Sequence, residues 1–383
     1  MLWFYRSGTL KNLPGDRDAA DGMGATVGSQ APMATHEKER NAQLDLSRAL
    51  AIVLVVMIHL NDRIFDPIAA QATGTEWALH AVLNAIGRLA VPIFFMISGA
   101  LVIPRADPTH IVRFYKKRIP QFVVLLVLYY LGTNYVAYLM HYEDDFNIWS
   151  RLQDLAVGRM RDAFHLWFIP ALIGVYLAAP FINAISRMAP VSTLRAYCVV
   201  GVVMTMLPFT TVALTKDRIW TAESVEFFGS YVIYFVLGHL FVNTEMARHW
   251  PTWKLTCTGL LSMAIAIGVQ CYYYRENDPH FHHAITDYRG LFTAIPSACL
   301  FLMLLRVNVR SERMRSASEY CSRLSFGVYL IHLAILHVVL RLLQQQWAAH
   351  YALLPPALIV IVALSFGYAL VLSRIPVLRK LVV

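Results

Sequence analysis

Ten apolar runs follow one another between residues 46 and 373, separated by short polar connections. They cover residues 46–62, 79–104, 119–140, 164–185, 195–214, 226–243, 253–273, 290–307, 324–345 and 351–373. At ~1.5 Å rise per residue, roughly 20 apolar residues cross the ~30 Å hydrocarbon core of a bilayer. Within that core each segment must satisfy its own backbone hydrogen bonds, as a helix does. The fold class expected is therefore an all-α integral membrane protein of about ten transmembrane helices. Composition agrees: 57% of the 383 residues are hydrophobic and 15% charged, where soluble domains carry about 25% charged residues.

The charge pattern orients the chain. With the amino terminus inside, 23 of the 33 Lys and Arg lie on the inner side and 8 on the outer, while Arg88 and Arg341 fall within spans. Positive charge collects on cytoplasmic loops, so both termini are expected in the cytoplasm. The net charge of +9 is then a topology signal, and nucleic acid is not an expected partner. Residues 1–44 read as a disordered cytoplasmic tail, polar and without periodicity or a signal peptide. Met33 stands where a shorter chain would naturally begin. Residues 45–375 form one polytopic domain, and 376–383 a second cytoplasmic tail. The five cysteines are scattered without metal-ligand spacing, and no metal is expected. His280, His282 and His283 cluster in an outer loop near Asp278 and Asp287, with spacing too weak to imply a metal site.

Ionisable groups inside apolar spans are costly and mark function by default. Asp45-Leu-Ser-Arg48 opens the first span, and His59 follows eleven residues after Arg48, roughly 16 Å along a helix. A guanidinium suits phosphate and an imidazole is the readiest general base near neutral pH. Asp45 lies one turn before Arg48 and is placed to orient it. The plainer reading makes Arg48 a snorkelling interfacial cation and His59 a packed core histidine. Arg88 lies within the second span, with Pro92 and Ser98-Gly99 after it, the pattern of a helix that lines something polar. Ser98 taken alone equally fits a helix-packing hydroxyl. Arg113, Lys116, Lys117 and Arg118 form a basic collar before the third span, suited to a polyphosphate or to anionic lipid headgroups. His165 and Trp167 begin the fourth span at the outer face. Ser325-Phe-Gly-Val-Tyr329-Leu-Ile-His332 puts a tyrosine and a histidine into the ninth span at a depth comparable with His59, and His337 and Arg341 continue it. Several such groups in separate apolar helices imply a shared interior cavity, since each alone would be expensive to bury.

Taken in order, these motifs resemble the acyltransferase-3 family of integral membrane acyltransferases. The carriers are Arg48, ten residues, then His59; Arg88 through Gly99; His165-Leu-Trp-Phe; and Leu324 through His332. The resemblance covers roughly residues 42–375 and is to the stand-alone type, similar to the enterobacterial common antigen O-acetyltransferase. It departs at the collar, where the family's third-helix Arg-x-x-Arg would place Gln121 second, or read as Arg113-x-x-Lys116. The resemblance implies acetyl-CoA as acyl donor and a glycan or lipid-linked glycan as acceptor, in a bacterial inner membrane. It implies that Arg48, Asp45, Arg113, Lys116, Lys117 and Arg118 hold the donor. His59 would act as base, Arg88, Ser98, Tyr329 and His332 would assist the chemistry, and His165 and Trp167 would meet the acceptor. The competing class is a transporter or flippase with His59 and His332 as proton relays; the lack of an internal repeat weighs against it. Oligomeric state is open, a homo-oligomer included.

Overall fold

The computed structural model describes residues 31–215, 229–246, 249–275, 284–343, 351–376 and 378–379. Among these residues there are helices and no strands. In chain order the helices are α1 (Ala31–Phe65), α2 (Gly74–Gly87), α3 (Ala90–Val102), α4 (Ile111–Leu139) and α5 (Ile148–Ala156). They continue as α6 (Phe168–Met188), α7 (Val191–Gly201), α8 (Leu207–Thr215), α9 (Ser230–Asn243) and α10 (Thr252–Arg275). The last three are α11 (Leu291–Leu304), α12 (Glu312–Leu342) and α13 (Leu354–Arg374). A 3₁₀ segment, Arg161–Trp167, leads into α6.

Over the described residues, each of the ten apolar runs falls on a helix or a helix pair. Among the described residues, eight stretches are long and apolar enough to cross a membrane. The runs 226–243 and 290–307 correspond to α9 and α11, each described over 14 residues or about 21 Å. The protein is thus an all-α, multi-pass membrane protein. Helix α1 begins at Ala31, so residues 31–44, read from composition as tail, are helical. Pro32 is tolerated in a first turn, and Glu37, Lys38, Glu39 and Arg40 are good helix formers.

Burial separates centre from periphery. The most apolar windows of α12, of α2 with α3, and of α1 are 78%, 72% and 67% buried, against 22% for α13 and 28% for α10. The exposed faces of the outer helices carry Leu260, Leu261, Ile359 and Val371, side chains that match lipid rather than water.

Two local features shape the centre. Pro92 has no N–H to offer the carbonyl of Arg88 four residues earlier, and the helix breaks at Arg88–Leu89 between α2 and α3. Beyond the break, α3 makes its most extensive packing against α9. A Cβ at Gly99 would overlap the Phe235 carbonyl, and one at Gly238 would overlap the Met96 carbonyl, so the two backbones touch directly.

Helices α1 and α12 run parallel and in register. Arg48 meets Ser322 and Arg63 meets His337, and each pair is 274 residues apart in the chain. Between those two contacts, His59 stacks on His332. This pairing positions the site.

Candidate active site

At the Arg48 end, three polar side chains close on one another between α1 and α12. Arg48 Nη1 donates to Ser322 Oγ at 2.8 Å, and Ser322 Oγ donates to Asp45 Oδ1 at 2.6 Å. Arg48 and Asp45 also pair directly at 3.8 Å, one helical turn apart. All three are buried. Arg118 of α4 is buried nearby, and its charge and that of Arg48 both act on Tyr176 of α6. The rest of the collar points outward: Arg113, Lys116 and Lys117 are exposed.

One turn of α1 after another leads from there to an apolar cleft. Its walls include Val55, Ile58, Val91, Phe94, Phe168, Leu172 and Phe326, with His59, His165, Trp167, Tyr288, Ser325 and Tyr329 among them. A mostly apolar wall with few polar groups is the lining expected of a small-molecule site.

Three imidazoles from three elements meet at this cleft. His59 (α1) and His332 (α12) stack with centroids 5.2 Å apart and planes at 26°. His165, from the 3₁₀ segment, stands edge-on to His332 at 4.9 Å and lies 6.4 Å from His59. Tyr329 Oη donates to the backbone carbonyl of His165 at 2.7 Å, tying α12 to the 3₁₀ segment.

The carbonyl partners set the tautomers. A carbonyl only accepts, so His332 Nδ1, 2.7 Å from the Tyr329 carbonyl, carries the proton. His332 Nε2 is then a lone pair, with no hydrogen-bond partner among the described residues. His165 donates from Nε2 to the Leu330 carbonyl at 3.4 Å, which leaves its Nδ1 as a lone pair, again with no partner among the described residues. The same holds for His59 Nδ1. The three differ in access: His332 is fully buried and His165 nearly so, whereas His59 keeps exposed surface. His59 is therefore the most accessible of the three imidazoles.

Arg88 stands behind this wall. Its guanidinium lies over the Tyr288 ring, 5.1 Å from the centroid, within the electrostatic reach of Asp62 and Asp287. Asn84 links Asp62 to Thr286, with bonds of 3.5 and 3.0 Å. Ser98 lies elsewhere. It is buried in α3 beside the α3–α9 seam, its hydroxyl has no partner among the described residues, and it is not part of the cleft wall.

The fold thus gathers His59, His165, Trp167 and Tyr329 at one cleft, with His332 packed against His59 and His165 behind its wall and Arg88 one side chain away. Asp45 and Arg48 sit at another level of α1, and Arg118 of α4 acts with Arg48 on Tyr176. Sequence reasoning missed Ser322, Arg63, Asp162 and Tyr288. Ser322 had a signal: it precedes His332 by ten residues, much as Arg48 precedes His59 by eleven. The loop histidines His280, His282 and His283 lie outside the described residues.

A family profile described as an acyltransferase domain, that of the acyltransferase-3 family, matches residues 41–374. The chain belongs to that family. No curated protein matches the chain, and no solved structure does. The matched region takes in every element that lines the cleft. Within it, a buried arginine, Arg48, and an accessible imidazole, His59, occupy two levels of one helix.

Proposed function

We propose that this acyltransferase moves an acetyl group from cytosolic acetyl-CoA to a hydroxyl of a cell-surface or lipid-linked glycan. In its acceptor class it is similar to the enterobacterial common antigen O-acetyltransferase, in a bacterial inner membrane. Arg48 and Arg118 hold the anionic nucleotide end of the donor, with Asp45 and Ser322 fixing the Arg48 guanidinium. Arg113, Lys116 and Lys117 supply an outer positive field that draws the donor in. The apolar arm of the coenzyme lies along Val55, Leu172 and Phe326, and the thioester reaches His59 about 16 Å away.

In the transfer step His59 takes the proton of the acceptor hydroxyl as its oxygen attacks the thioester carbonyl. The carbon–sulfur bond breaks, the acetyl group passes to the acceptor oxygen, and the proton ends on the leaving thiol of coenzyme A. No charge is left over. His332 stacks behind His59 and holds its plane, and His165 and Trp167 meet the acceptor on the opposite wall. Arg88, behind Tyr288, contributes positive potential to the developing oxyanion. Ser98 lies apart from the cleft and is given no step.

One observation carries the reading. His59 is the accessible member of a buried histidine cluster, and it lies on the same helix as a clasped, buried arginine at the spacing of a coenzyme arm. The test is transfer of radiolabelled acetyl from acetyl-CoA to candidate glycans by the purified protein. Transfer is expected in the wild type and lost in His59→Ala and Arg48→Ala. Acetyl-CoA left untouched while a solute crosses reconstituted vesicles would instead support a proton-coupled transporter.

A further inference from the structure

Arg63 makes an arrangement that the proposed chemistry does not use. It lies four residues after His59 on α1, one turn farther along the same helix. Its Nη2 donates to Asp162 Oδ1 at 3.4 Å and to His337 Nε2 at 3.3 Å. Asp162 is three residues before His165, and His337 is five residues after His332. A single guanidinium nitrogen, which carries two hydrogens, therefore joins the next turn of all three histidine-bearing elements.

The surroundings strengthen the grip. The guanidinium carbon lies 5.6 Å from the Phe164 ring centroid and 6.0 Å from that of Tyr142. Phe164 in turn stands edge-on to His59 at 5.2 Å. Tyr142 packs on the His337 ring at 5.0 Å, and its hydroxyl donates to the His337 carbonyl at 3.4 Å. Asp162 is held from behind by Glu143, which accepts from Arg151 at 3.0 Å and pairs with Arg161 at 3.5 Å. Arg63 is not on the cleft wall.

We propose that Arg63 is a positioning residue: it sets the mutual geometry of His59, His165 and His332 by clasping their three elements together. Buried sites need such support, because a displacement of about 1 Å at the reacting group costs up to ~100-fold in rate. Lysine offers an ammonium with three donors but lacks the planar fork, so it restores the clasp in part.

The kinetic arm of the test rests on the proposed acetyl transfer; a second arm does not. In full-length protein, diethyl pyrocarbonate labelling of His59 is followed by mass spectrometry, with the exposed loop residue His110 as internal reference. In Arg63→Gln the labelling rate of His59 relative to His110 rises about threefold or more as the stack loosens, and Arg63→Lys lies nearer wild type. In the same variants kcat falls roughly tenfold or more while KM for acetyl-CoA stays within about twofold. A wild type that consumes no acetyl-CoA refutes the acetyl-transfer reading and leaves the labelling arm to judge Arg63. Should Arg63→Gln lack a thermal transition, His337→Phe takes its place; it keeps the ring against Tyr142 and removes the acceptor nitrogen. Relative labelling of His59 equal to wild type in the folded variants overturns the proposal.

Discussion

Ser322 decides how Arg48 is presented, because its hydroxyl both accepts from Arg48 and donates to Asp45. Ser322→Ala removes one bond from each of two buried charged groups, a cost of about 1–3 kcal/mol. If Arg48 binds the donor, the loss falls on binding: KM for acetyl-CoA rises about tenfold and kcat holds. Steady-state kinetics of that variant make the check. His59→Ala behaves in the opposite way, with kcat reduced about 10²- to 10⁴-fold. Glu143, in the connection between α4 and α5, yields a pH prediction. Burial raises its carboxyl, but hydrogen bonds from Arg151 and Asp162 and the charge of Arg161 outweigh this and hold it below its ordinary value. Its contribution to stability is therefore present above the unfolded value of about 4.3 and lost as pH falls through the folded value. The thermal midpoint in detergent should drop on acidification below about pH 4, and drop less steeply in Glu143→Gln. At this scale the sequence was readable where partners are local. Arg48 and His59 share one apolar run with Asp45 at its mouth, and their spacing alone put a cation and an imidazole at two depths. Ser322 and Arg63 were not readable as partners of Arg48 and His337, since each contact spans 274 residues and depends on how two helices register.

The helix pairs show what registers them. Between α3 and α9, Gly99 and Gly238 face the partner's carbonyls at Phe235 and Met96, leaving no room for a side chain. Backbone cannot yield as a flexible side chain does, so Gly99→Ala and Gly238→Ala should each abolish the folded, monodisperse protein in detergent. Gly132→Ala on α4 is the control. A Cβ there meets nothing within 4 Å, and the thermal midpoint should stay or rise slightly, since alanine favours a helix by up to about 1 kcal/mol. Gly87 is an intermediate case: its Cβ would come 2.6 Å from Ile58 Cβ, beside His59. The break between α2 and α3 was foreshadowed by Pro92, which removes the bond to the Arg88 carbonyl, although Pro120, Pro180 and Pro296 lie inside unbroken helices. The role of Ser98-Gly99 was harder to read, because a small pair in an apolar helix serves packing and ligand binding equally well. The contact with α9 puts Gly99 in the packing role.

For the whole molecule, the apolar runs were the most legible feature, since bilayer thickness imposes a length that few other environments demand. Charge distribution supplied an orientation, and the structure adds its consequence: the Arg48 level lies at the basic end of α1 and the Arg63 clasp at the other. Under the proposed function, with the basic end in the cytosol, donor and acceptor would approach His59 from opposite faces of the membrane. The most direct measurement of that account is one-sided supply. Protein is reconstituted in vesicles of known orientation, with acetyl-CoA on one face and glycan acceptor on the other. Acetylated glycan should form when acetyl-CoA meets the Arg48 face and the acceptor the opposite face, and fail to form when the two are exchanged. Equal product in both arrangements, or product in the exchanged one alone, would contradict it.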